Sequence, residues 1–200
     1  MKNERDIADL LVQENILAEG QKELVEFGLY HGKLLLVNCC TILIIGGIFG
    51  QIPVSVLFLV FFSILRSYAG GYHAGTVLRC FFISMFLISS GLWLIRMGFW
   101  SISVCIVMSI LSSIVILILS PVDNANKKLD VREKQVFRKR TLILLLIEVI
   151  CLGSGIYFGI TILYQAVSLA IALTGGLVLA GKIKNLVGEN QKQKYQNEEV

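Results

Sequence analysis

The chain has 200 residues, a net charge of +4, only two prolines and 56% hydrophobic residues, with a mean hydropathy of +0.76. A soluble domain of this composition would expose far too much apolar surface, so the chain reads as an integral membrane protein, all-α and polytopic. Its five cysteines do not form a disulfide framework, since Cys39, Cys40, Cys105 and Cys151 lie inside apolar runs where cysteine acts as a small hydrophobe.

Residues 1–33 hold seven of the 14 acidic residues and carry Ile7, Leu10, Leu11, Ile16 and Leu17 near helical spacing, followed by Leu24 and Phe27. This pattern predicts an amphipathic helix at the membrane interface or on the loops beside it. No cleaved signal is expected, because the first long apolar run starts only at Leu34. His31 reads as a polar residue snorkelling at the interface and is left outside the site.

The run from Leu34 to Leu65 is too long for one span and divides at Gln51 and Pro53 into helices of about 15 to 17 residues, each roughly 25 Å long. The next block, Phe81–Leu119, divides at Arg96-Met97-Gly98, and the third, Leu142–Ala180, divides between Phe158 and Gln165. Six hydrophobic segments result, spanning 34–181, with a polar tail at 182–200. With the N-terminus inside, 17 of the 18 Lys and Arg residues fall on the cytoplasmic side and Arg96 alone falls outside. Both termini and the two polar loops, 66–80 and 120–140, are therefore expected at the cytoplasmic face of a cell membrane. Glu148 stands about two turns into the fifth segment, where a carboxylate needs a partner or water.

The first polar loop reads Arg66-Ser-Tyr-Ala-Gly-Gly-Tyr-His-Ala-Gly-Thr-Val-Leu-Arg-Cys80. It brings His73 and Cys80 into one segment on the reducing side of the membrane, where a thiol stays free. An imidazole that takes the thiol proton makes a cysteine nucleophilic. On one regular helix the two would stand about 10.5 Å apart along the axis, so proton transfer requires nonhelical backbone around Gly70, Gly71 and Gly75. A helix beginning near Cys80 would add the positive end of its dipole to the site.

Arg66, Gly70-Gly71, His73 and Cys80, together with the second loop Ser120-Pro121-Val122-Asp123-Asn124-Ala125-Asn126-Lys127, resemble the AgrB family over most of the chain. That family comprises the accessory gene regulator B membrane endopeptidases of Gram-positive quorum sensing. The resemblance implies a Cys80–His73 cysteine endopeptidase acting on an AgrD-type propeptide. Its tail would leave as Cys80 forms an acyl-thioester, and a propeptide cysteine would then capture the acyl group as a cyclic thiolactone. Arg66 and Gly71 match family positions that accompany the dyad. Arg66 would hold a propeptide carboxylate or close the cytoplasmic end of a span, and Gly71 meets a backbone requirement. Arg79 would steady the thiolate or snorkel.

Asp123 is the first candidate to orient His73, beside Asn124 and Asn126 in the same family-like motif; a plain Pro-Asp-Asn turn is the rival reading. The loop departs from the family in reading Asn-Lys-Lys where Asn-Lys-Pro is frequent. The basic run Lys127–Arg140 reads as a topology anchor that attracts anionic lipid and an acidic propeptide tail. A homodimer fits the family; no cofactor and no nucleic-acid partner is expected. The competing class is a small transporter or peptide exporter without covalent chemistry, which the six segments and Glu148 would suit. A metal site at His73 and Cys80 falls short of the usual three or four zinc ligands, and no pair of intramembrane aspartates exists for an aspartyl protease.

Overall fold

A computed structural model describes residues 2–14, 18–72, 76–122 and 130–198. It is helical throughout: α1 Lys2–Gln13, a 3₁₀ turn at Glu19–Gln21, α2 Lys22–Ile48, α3 Ile52–Ala69, α4 Val77–Arg96, α5 Ile102–Leu119, α6 Val131–Tyr157 and α7 Thr161–Glu198. Six helices among the described residues, α2 to α7, are long and apolar enough to cross a membrane, as the hydropathy pattern predicts. The chain is a multi-pass membrane protein.

Two compact units divide at Ile44 and Ile45. In the first, the Lys22 ammonium pairs with the Asp9 carboxylate, joining α1 to the start of α2. The helix of the first span begins at Lys22 and passes position 34 without a break. Hydropathy marks where apolar residues begin, whereas the helix continues through charged residues that are themselves good helix formers. The same holds for α6, where residues 131–140 form its first turns, and for the tail, where α7 continues to Glu198.

The second unit is organised around α7. Of the α7 span 61% is buried, against 28% or less for every other span, and it packs on α3, α5 and α6. Close approach needs small residues, since spans in lipid gain association energy from contact rather than from expelling water. A Cβ added at Gly175 would stand 2.6 Å from Ser112 Cβ and 2.9 Å from its Cα, so α5 rests directly on the α7 backbone there. Trp100 Nε1 donates to Ser168 Oγ at 2.8 Å, closing the same interface further along.

The connections at the two ends differ in kind. At one end α2–α3, α4–α5 and α6–α7 join through tight turns with Gly50, Gly98 and Gly159 at positive φ. In each, paired bonds run back into the helix just ended, such as Gln51 N–H to Gly46 O and Gly50 N–H to Gly47 O, the Schellman arrangement that satisfies terminal carbonyls. Pro53 then opens α3, where its missing N–H costs nothing. Arg96 donates to the Phe49 carbonyl, linking two of these turns. The opposite end carries the longer polar connections 70–76 and 120–130.

This topology sets a test of sidedness. In a background without native cysteines, Met97→Cys and Phe158→Cys should label with an impermeant maleimide on intact cells, while Lys134→Cys and Lys184→Cys should label only after permeabilisation. The reverse pattern would invert the orientation read from the basic residues.

Candidate active site

The α3 helix ends at Ala69 and the chain turns through two glycines in the left-handed half of φ, Gly70 at 70° and Gly71 at 122°. Such values disfavour a side chain, and here space forbids one as well. A Cβ on Gly70 would stand 2.3 Å from the Val122 carbonyl oxygen, and one on Gly71 would stand 2.8 Å from the Leu177 carbonyl oxygen. Gly70 forms a parallel bridge with Val122, whose N–H donates to the Ala69 carbonyl at 3.1 Å. The two polar loops are thereby joined backbone to backbone.

The same strand of loop is tied to α7. Tyr72 N–H donates to the Leu177 carbonyl at 2.7 Å, and a Cβ on Gly181 would stand only 2.6 Å from both the Gly71 carbonyl carbon and the Tyr72 nitrogen. Lys184 Nζ lies 5.0 Å from the centre of the Tyr72 ring, a cation–π distance. A parallel arrangement anchors the end of α3 to α6: Arg140 stands 5.3 Å over the Tyr68 ring and Phe137 packs 5.8 Å from it.

Arg66 is turned into the loop rather than out to the membrane surface. Its Nη2 donates to the Tyr72 carbonyl at 2.7 Å, so the guanidinium turns back into the loop and clamps it. Its Nη1 is buried and has no hydrogen-bond partner among the described residues. The guanidinium also lies within electrostatic range of Cys80. Arg79, the other cation considered beside Cys80, is exposed.

Cys80 is a half-buried free thiol in the first turn of α4. Thr76 is the N-cap: its Oγ1 accepts from Arg79 N–H at 3.4 Å and its carbonyl accepts from Cys80 N–H at 3.1 Å. The helix thus starts at Val77, and the positive end of its dipole lies beside the thiol. Of the expected site residues, Arg66, Gly71 and Cys80 gather here. His73, Asp123 and Asn126 lie outside the described residues; Val122, next to Asp123, forms the bridge with Gly70, and Tyr72, next to His73, follows that glycine by two residues. Sequence reasoning missed Gly181 and the Leu177 carbonyl. Their signal was glycine inside an apolar helix, which marks close backbone approach without naming the partner.

A family model described as accessory gene regulator B matches residues 4–179. A Clostridium perfringens (strain 13 / Type A) protein named AgrB-like protein 2 is 25% identical over 141 residues, a stretch covering 67% of this chain and 66% of that relative, just under two thirds of its length. No solved structure matches.

The Gly181 contact has a diagnostic sign. On helix propensity alone Gly181→Ala should stabilise by about 1 kcal/mol. The backbone clash reverses this, and a net loss of about 1–3 kcal/mol is expected in thermal unfolding, with faster tryptic cleavage at Arg79. Gly176→Ala, whose Cβ meets nothing within 4 Å, should change neither measurement for the worse.

Proposed function

The chain belongs to the accessory gene regulator B family, and from that premise we propose that it is a membrane cysteine endopeptidase that trims and cyclises an AgrD-type propeptide. The observation that carries this reading is the junction of the two polar loops at Gly70 and Val122, tied through Gly71 and Tyr72 to the Leu177–Gly181 stretch of α7. It gathers a free thiol at a helix N-terminus, a buried guanidinium with an unused N–H, and the residues adjoining His73 and Asp123.

The reaction follows from these groups. His73 removes the Cys80 proton, and the sulfur attacks the carbonyl carbon of the scissile peptide bond, forming a C–S bond. The carbonyl oxygen becomes an oxyanion, for which Arg66 Nη1–H is an available donor. Collapse breaks the C–N bond, and His73 returns its proton to the departing amine, so the C-terminal tail leaves as a free peptide. The acyl group remains on Cys80 as a thioester. A thiol within the propeptide then attacks that carbonyl; the new C–S bond closes the ring, and the proton of the attacking thiol passes through His73 to the Cys80 sulfur as its bond breaks. One thioester replaces another, so the second step is nearly balanced in energy and depends on keeping water away.

Arg66 holds the loop that presents His73, which makes it a positioning residue as well as a donor. Asp123, or Asn126 beyond it, orients the imidazole. The site faces the cytoplasm, and the basic turns of α6 hold anionic lipid and the acidic tail of the substrate. The exporter reading draws on one observation, the buried Glu148, whose Oε2 has no partner among the described residues. It requires no covalent chemistry at Cys80.

Co-expression with the candidate propeptide separates the two. Wild type should shorten the precursor on gels and in mass spectra, whereas Cys80→Ala and His73→Ala should reduce processing by about 10³-fold or more. Continued processing by Cys80→Ala would make the cysteine structural and favour the exporter.

A further inference from the structure

The α4 and α7 helices meet where Gly91 faces Leu169, with a Cβ on Gly91 falling 2.6 Å from Leu169 Cδ1. Between that contact and the loop end they leave a cavity of about 360 Å³. Ile83 and Leu87 line it from α4, Gly176, Leu177 and Ala180 from α7, and Tyr72 from the loop. Cys80, Ile83 and Leu87 follow one another at i, i+3 and i+7, so the thiol and the cavity share one face of α4. Tyr72 also receives the Arg66 clamp on its carbonyl.

The geometry points to this cavity as the acyl-side pocket of the peptidase, taking the apolar side chains that immediately precede the scissile bond; the inference rests on the reaction proposed above. The chemistry chooses the occupant. When the C–N bond breaks, the tail departs, but the residues before it stay tethered to Cys80 through the thioester. Those residues must lie along the face that Cys80 shares with Ile83 and Leu87. A volume of about 360 Å³ sits within the range of small-ligand pockets, about 300–1,000 Å³, and holds a few side chains. Apolar filling also excludes water from the thioester, so ring closure can outrun hydrolysis. Gly176 and Ala180, both exposed on α7, keep the cavity open by being small.

The test pairs an enzyme change with a substrate change, using full-length protein in membranes and propeptides carrying Leu, Ala or Asp immediately before the cleaved bond. Wild type should process the Leu form at least about tenfold faster than the Ala or Asp form, the discrimination expected of an apolar pocket. Gly176→Leu, built where a Cβ meets nothing within 4 Å, should slow the Leu substrate about tenfold or more and narrow its advantage over Ala. Ala180→Leu serves as the second filling variant if Gly176→Leu does not reach the membrane.

Equal rates on Leu, Ala and Asp substrates, or an unchanged Leu rate in both folded filling variants, would overturn the pocket while leaving the peptidase intact. Loss of co-purifying lipid from a filled variant that still processes normally would assign the cavity to an acyl chain, and would also overturn it. Absence of processing by wild type on every substrate would instead remove the peptidase reading, and the pocket with it.

Discussion

Nonhelical backbone at the edge of a membrane survives only where protein or water satisfies its N–H and C=O groups, and the segment after α3 meets that demand through two glycines. Gly71 and Gly181 let the loop lie against α7 closely enough for Tyr72 N–H to reach the Leu177 carbonyl. Gly70 lets the second loop lie against the first, so Val122 N–H reaches the Ala69 carbonyl. Arg66 then takes the Tyr72 carbonyl. Every feature of the candidate site depends on this set of contacts, because a side chain at any of these glycines would push the loop away from its partners.

The helices divide the labour accordingly. At one end of the bundle, short glycine-capped turns close the hairpins with almost no chain to spare. At the other, connections are longer and polar, and α7 supplies a buried, small-residue surface on which they fold. Trp100 on Ser168, in the turn just before α5, and Ser112 on Gly175 fix α5 against α7, and the chain leaving α5 reaches Val122 beside Gly70. The cavity beside α4 is the complement of this tight packing: α4 touches α7 at Gly91 and stands away nearer Cys80.

Much of this frame was legible in the sequence. Apolar run lengths marked six spans, and Gln51-Pro53, Arg96-Met97-Gly98 and the stretch after Phe158 marked their breaks because glycine and proline punctuate helices locally. The starts of α2 at Lys22 and of α6 at Val131 were not, since charged helix formers extend a helix without extending its hydropathy. Gly71 was legible as half of a Gly-Gly pair at a span end. Gly181 was not, because what it touches lies in a loop distant in sequence. Arg66 was recognised as a site residue, but only three-dimensional packing shows that it clamps Tyr72 and lies within electrostatic range of Cys80. The assignments of His73, Asp123 and Asn126 rest on motif and family.

On the mechanism we propose, Cys80 carries the acyl group between cleavage and ring closure. The most direct measurement supplies the protein in bilayers with a propeptide whose ring-forming thiol is replaced by a hydroxyl, quenches in acid and maps the mass of every cysteine-containing peptide. The expected result is an adduct on Cys80 equal to the N-terminal fragment less one water, released by neutral hydroxylamine as a thioester should be. Tail release with Cys80 unmodified, or a hydroxylamine-labile adduct on another cysteine, would contradict it.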